Sequence, residues 1–227
     1  MKTIVISLGG SVIYNNHGIN VDYLSSTVNL ITKYPEDKFI YILGGGNVAR
    51  NYIKAAADCG IDKQGQDMLG IEATRLNAML FALILARNGL RSINVRNIFE
   101  VHPYFLEQYQ VIVTVGTIPG HTTDRVAVQC ASKFYSDSVI NVTEVGYIYD
   151  KDPKKHSDAK VIERVKGSEL INKWGLEHRP GMNLPIEPRA VQEALEHKIK
   201  IYVIGQFIED LEKNYNEEWL QRNINIT

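Results

Sequence analysis

Cysteine is nearly absent from this chain: Cys59 and Cys130 are its two cysteines among 227 residues. They make no metal-ligand spacing and no disulfide framework. Both fall inside expected helices and read as small buried apolar side chains, in keeping with a reducing compartment. A dominant charge is also missing. Lys and Arg number 25 against 26 Asp and Glu, a formal net charge of −1, so nothing points to a bulk electrostatic grip on nucleic acid or an anionic membrane. No stretch approaches membrane-spanning length, and Met1-Lys2-Thr3-Ile4-Val5-Ile6-Ser7 enters a strand at once instead of forming a signal-peptide core. The expectation is a cytoplasmic protein without nucleic-acid or membrane partners. Repeats, low-complexity tracts and disordered linkers do not stand out either. With 44% hydrophobic and 22% charged residues, the composition is that of a globular chain able to bury a full core without staples.

Glycine is where the sequence becomes specific. Leu43-Gly44-Gly45-Gly46-Asn47-Val48-Ala49-Arg50 follows an apolar run, Phe39 to Leu43, and precedes a helical pattern from Val48 to Cys59. Three glycines at a strand-to-helix junction remove every Cβ where backbone N–H groups can converge on an anion. The helix start adds unpaired N–H donors and a positive dipole end. Arg50, one turn in, adds a planar fork of charged donors. This reads as a phosphate cradle; a glycine-rich strand–helix turn with no ligand is the alternative.

The rest of the chain repeats the theme. Thr3 to Leu8 is a continuous apolar run, as a parallel strand covered on both faces requires, and it ends in Gly9-Gly10-Ser11. Val21, Leu24, Val28 and Ile31 follow at helical spacing with Asn20 as a candidate cap. A long helix is expected from about Gln66 to Arg87, its apolar stripe formed by Leu69, Ala73, Leu76, Leu80, Leu83 and Ile84. Asp67 on that helix either answers the helix dipole or accepts ligand hydroxyls, with Gly70 admitting the ligand to the backbone. Val111 to Val115 is a third strand, ending in Gly116-Thr117-Ile118-Pro119-Gly120-His121-Thr122-Thr123-Asp124. A helix follows from Arg125 to Tyr135. Asp124 reads as a first-turn carboxylate or as a group at the mouth of two phosphate-friendly loops. Ser138 to Thr143 is a fourth strand, leading into Tyr147, Tyr149 and Asp150-Lys151-Asp152-Pro153. Helices over Ser168 to Trp174 and Glu187 to His197, a loop around Arg179 to Pro185, and a strand over Lys200 to Ile204 complete the chain. Strand and helix alternate throughout, which predicts an α/β fold with a mainly parallel sheet between helical layers.

Taken in order, Gly9-Gly10-Ser11, Gly44-Gly45-Gly46 with Ala49-Arg50, Asp67 with Gly70 and Thr74 to Ala78, Pro119 to Asp124, Asn141-Val142-Thr143 and Tyr149 to Pro153 resemble the amino acid kinase superfamily. Within it the pattern looks like the archaeal-type UMP kinases, and the resemblance covers nearly the whole chain. It implies a single three-layer α/β/α domain over 1–227, with an acceptor half of about 1–137 and a donor half of about 138–227. It further implies phosphorylation of UMP by ATP with Mg²⁺, in a homohexamer. Carried over by position, Gly9, Gly10, Gly45 and Arg50 surround the ATP phosphates, and Thr143, Tyr149 and Asp152 line the adenine nucleotide site. Gly44, Asp67, Gly70, Thr117, Ile118, Pro119, Gly120, His121, Thr122 and Thr123 meet UMP. Arg50 and Asp124 form the catalytic centre, and Mg²⁺ rides mainly on the nucleotide phosphates with no protein metal site.

The chain departs from that family in three places. Many relatives carry a lysine just before the first glycine turn, where this chain has Ser7-Leu8. The family's Asn-Val-Asp-Gly-Val-Tyr segment reads Glu144-Val145-Gly146-Tyr147-Ile148-Tyr149, and its Asp-Pro before the last helix reads Glu187-Pro188. Two other readings stay open at this level: another kinase of the fold, such as one for isopentenyl phosphate, and a non-catalytic nucleotide or oxyanion binder.

Overall fold

The structure, a computed structural model, describes residues 2–15, 17–151, 153, 155–176, 184–205 and 225–226. Asp152 and residues 179–183 of the expected loop lie outside the described residues. In chain order the elements are β1 (Thr3–Leu8), α1 (Gly10–Ile13), a hairpin of β2 (Tyr14–Asn15) and β3 (Gly18–Ile19), α2 (Val21–Lys33) and β4 (Lys38–Leu43). Then come α3 (Gly46–Asp58), α4 (Lys63–Arg87), β5 (Ser92–Asn94), α5 (Phe105–Gln108), β6 (Val111–Thr114), α6 (Thr123–Lys133) and β7 (Ser138–Val142). The last group is β8 (Arg164–Val165), α7 (Gly167–Trp174), α8 (Pro188–His197), β9 (Lys200–Ile204) and β10 (Asn225–Ile226).

One sheet carries the order β5-β6-β4-β1-β7-β9-β10-β8. Its first six strands run parallel, β10 is antiparallel to β9, and β8 pairs parallel with β10. Side chains alternate across the pleat and so feed two cores. Val5, Ile40, Ile42 and Ile112 point to one side and pack with Val126, Cys130, Val191 and Ala194 of α6 and α8. Ile6, Leu8, Phe39, Tyr41 and Leu43 point to the other, against Leu24, Val28 and Ile31 of α2 and Ala78, Phe81 and Leu85 of α4. The predicted α/β/α layering is therefore present. Every residue of β4 is buried, and each such large apolar side chain contributes about 1.5–3 kcal/mol.

Several sequence expectations need correction. Cys59 is exposed and ends α3, while Cys130 is buried as expected. Of the expected stripe on α4, Ala73 is buried and Leu80 and Ile84 pack partly buried against the core, but Leu76 and Leu83 are each 63% exposed; the helix also buries Ile71, Thr74, Asn77, Ala78, Phe81 and Leu85. The reason is that from Ala78 to Ala86 the helix is apolar on every side, so helical spacing alone cannot single out the core face there. That same property makes α4, among the described residues, a helix long and apolar enough to cross a membrane by length and composition. Its place in the core, through Ala78, Phe81 and Leu85, accounts for that character within the fold. Val21, at the first position of α2, is 56% exposed, whereas its expected partners Leu24, Val28 and Ile31 are buried.

Candidate functional site

The glycine turns that follow β1 and β4 sit on neighbouring strands of the parallel sheet, at the carboxyl edge where open α/β sheets bind ligands. They interlock. A Cβ on Gly10 would lie 1.9 Å from the Gly46 nitrogen, and one on Gly44 would lie 2.4 Å from the Gly10 nitrogen. Gly46 also takes φ 62°, the left-handed region. These glycines are thus required by backbone meeting backbone, before any ligand is considered. The carbonyl of Gly44 accepts a buried hydrogen bond from Asn77 Nδ2 at 2.8 Å, and its N–H donates to the Leu8 carbonyl at 2.9 Å. Gly9 donates to the Val142 carbonyl at 2.9 Å, which ties the first turn to the end of β7.

A cavity of about 250 Å³ opens beside the turns. Its lining brings together Gly10, Gly44, Gly45, Arg50, Asp67, Gly70, Ile118, His121, Thr122, Thr123 and Asp124 from the sequence-derived set. The N-terminal ends of α1, α3, α6 and α8 all reach it, through Gly10, Gly45, Thr122 and Glu187 respectively. Helix starts carry unpaired N–H donors and a partial positive charge, so their convergence suits an anionic ligand. A larger hollow of about 1160 Å³ lies at the opposite sheet edge, under Thr3, Lys38, Ser138 and Lys200, which begin β1, β4, β7 and β9. Phe134, the last cap of α6, lines that hollow, so it meets a carbonyl-rich helix end. Of the two, the smaller cavity has the lining that suits an anion.

Arg50 stands exposed at the cavity rim, its Nε donating to Asn47 Oδ1 at 3.0 Å and a terminal nitrogen to Ser11 Oγ at 3.2 Å. Asp67 sits beyond the first turn of α4, whose cap is Asp62. Asp67 Oδ2 accepts from the Gly120 N–H at 2.7 Å, pinning the loop after β6. Gly70 serves helix packing as well, since a Cβ there would meet Ile53 Cδ1 at 3.3 Å. Thr122 caps α6 by accepting from the Arg125 N–H.

Asp124 is the most constrained group in the site. Ser7 Oγ donates to its Oδ1 at 3.1 Å and the Glu187 N–H donates to its Oδ2 at 3.1 Å. The residue is half-buried and borders the cavity. Burial, the largest cause, pushes its pKa from 3.8 up to about 6; the Glu187 charge pushes the same way, while the two hydrogen bonds pull it down. Glu187 is itself buried, at 4% exposure.

The cavity lining does not include Gly9, Thr117, Pro119, Gly120, Thr143 or Tyr149. Thr143 extends the β7–β9 ladder by donating to the Ile204 carbonyl at 2.9 Å, and its Oγ1 accepts from the Gly146 N–H at 2.9 Å. Gly146 turns the chain there with φ 82°. Tyr149 meets Tyr147 edge-on and bridges to Val161. Sequence reasoning missed Ser7 and Glu187 as partners of Asp124, treating both only as departures from a pattern. Residue type gave no hint, because their contacts span 117 and 63 positions of sequence.

A model described as the amino acid kinase family matches residues 2–205. The chain belongs to that family. Among relatives of this amino acid kinase, a uridylate kinase of Thermoplasma volcanium is 35% identical over 211 residues, covering 92% of this chain and 91% of that protein. A uridylate kinase of Methanococcus aeolicus is 35% identical over 216 residues, covering 94% and 95%. The crystal structure of uridylate kinase from Archaeoglobus fulgidus aligns over 100% of both chains with a TM-score of 0.80 at 31% identity.

Proposed function

We propose that this amino acid kinase transfers the γ-phosphoryl group of ATP reversibly to UMP, giving ADP and UDP, as a step in pyrimidine nucleotide synthesis. One observation carries the reading: two interlocked glycine turns and four helix starts surround a single cavity that Asp67 and Asp124 also line. The names and coverage of the uridylate kinase relatives support it.

In this reading an oxygen of the UMP phosphate attacks the γ-phosphorus. The bond to the β–γ bridging oxygen breaks, and its electron pair leaves with ADP. The acceptor oxygen is already ionised, so the site needs positioning and charge stabilisation more than a strong base. Gly44 and the 117–123 loop hold UMP, with Asp67 toward the ribose and Gly70 beside it. Gly9, Gly10, Gly45 and Arg50 surround the moving phosphates, and Thr143, Tyr149 and Asp152 serve the adenine nucleotide. Arg50 takes the place of the lysine many relatives carry, because the corresponding Ser7 is turned to Asp124. The acceptor half is about 1–137 and the donor half about 138–227.

Among the described residues no cluster of three or more His, Cys, Asp or Glu could cage a metal ion. Both oxygens of Asp124 already accept hydrogen bonds. That donor set suits Mg²⁺ entering as part of the ATP substrate, held by phosphate oxygens. The proposal extends to a cytoplasmic homohexamer. The exposed Leu76, Met79 and Leu83 of α4, at spacing that puts them on one helix face, support self-association. ADP release measured with UMP, CMP and isopentenyl phosphate in turn tests the function. UMP is expected to be the preferred acceptor, and preference for isopentenyl phosphate, or no turnover at all, would overturn the assignment.

A further inference from the structure

Glu187 occupies the N-cap of α8, yet its side chain makes no cap hydrogen bond to its own helix. Pro188 opens that helix with no N–H to satisfy. The carboxylate turns away instead, and Oε2 accepts from Thr122 Oγ1 at 2.5 Å. Thr122 is the cap of α6 and lines the cavity. The Glu187 backbone N–H holds Asp124 at the same time. Two further links fix the segment from which Glu187 reaches: Asn141 Nδ2 donates to the Pro185 carbonyl at 2.9 Å, and Arg125 Nε pairs with Glu193 at 2.5 Å. A buried glutamate beside a second, half-buried carboxylate lowers stability, so an arrangement that keeps both points to a role in the site.

We propose that Glu187 is a positioning residue that clasps the 117–123 loop to the start of α8, so that the C-terminal half of the chain holds the acceptor loop ready for its substrate. The clasp needs glutamate length, because an aspartate at 187 would stop one carbon short of Thr122. Its kinetic consequence rests on UMP being the acceptor bound by that loop; its structural consequence does not.

Hydrogen–deuterium exchange on the free full-length chain, paired with steady-state kinetics, tests it. In Glu187→Ala the amides of 117–123 are expected to exchange at least about tenfold faster, as for loss of a hydrogen bond to a charged group, while those of β4 keep their wild-type rates. The KM for UMP is expected to rise about tenfold with the KM for ATP within about twofold. Glu187→Gln, whose Oε1 still accepts from Thr122, is expected to return both readouts to within about threefold of wild type. Unchanged exchange in 117–123, or exchange that rises equally in β4, would overturn the clasp. Faster loop exchange in a chain whose wild type phosphorylates no UMP would leave the clasp standing and remove the acceptor assignment.

Discussion

Asp124 carries a proton to higher pH in the folded chain than it does unfolded, because burial withdraws its carboxylate from water and the Glu187 charge adds to the effect. The sign of its linkage follows. Its contribution is full below the unfolded value of about 4 and is lost as pH rises through about 6. The loss is no more than about 3 kcal/mol, at about 1.4 kcal/mol per pH unit. Urea unfolding between about pH 4 and about pH 7 is expected to show this downward slope in the wild type and a flatter one in Asp124→Asn. Identical slopes would mean that Asp124 titrates normally. The site therefore holds a charge at neutral pH at the expense of stability, as functional carboxylates often do. Arg50 is the opposite case, an exposed cation held by Asn47 and Ser11 at the rim. Arg50→Ala is expected to lower kcat by about 10²-fold or more, as for removal of a preorganised charge clamp. A near-normal rate would move the clamp to another cation.

The elements owe their arrangement to contacts of two kinds, and only one kind is legible in sequence. Thr3–Leu8, Lys38–Leu43 and Lys200–Ile204 were readable residue for residue because unbroken apolar runs between turn signals leave little choice. The Asn20 cap was readable for the same local reason, and its Oδ1 accepts from the Tyr23 N–H at 3.2 Å. The glycine turns were readable as turns, but not as a pair whose backbones touch. The core face of α4 was readable at Ala73, Leu80 and Ile84 but not at Leu76 and Leu83, because the second half of the helix is apolar all round. Strands β8 and β10, two residues each, carry no period to detect. Ser7 and Glu187 were visible as residues while their meeting at Asp124 was not, since it depends on three elements distant in sequence. The interlock of the turns makes its own prediction. Gly10→Ala places a Cβ 1.9 Å from the Gly46 nitrogen, so main chain must move, and both thermal stability and activity are expected to fall sharply. Gly89→Ala is a matched control, with φ 75° and nothing within 4 Å of the new Cβ. Its cost is expected to be about 1–2 kcal/mol of stability with turnover retained. Equal loss of activity in both variants would contradict the interlock.

At the scale of the whole molecule, the two faces of α4 meet different surroundings. One face builds the core through Phe81, which meets Tyr41 edge-on with ring centroids 5.2 Å apart; the opposite face leaves Leu76 and Leu83 outside. Light scattering on a Leu76→Lys, Leu83→Lys double variant is expected to show a smaller assembly than the wild type, with the far-ultraviolet dichroism unchanged. An identical mass would contradict self-association through this face of α4. The layered fold also brings the 117–123 loop, two glycine turns and the end of β7 to one edge, where the proposed function has two nucleotides meet phosphate to phosphate. Calorimetric titration with adenosine and uridine joined through five phosphates tests that most directly. One such molecule is expected to bind per chain, displaced by either UMP or ATP and weakened in Arg50→Ala. Binding that leaves both UMP and ATP free to bind alongside it would mean that the two nucleotides do not meet at this edge.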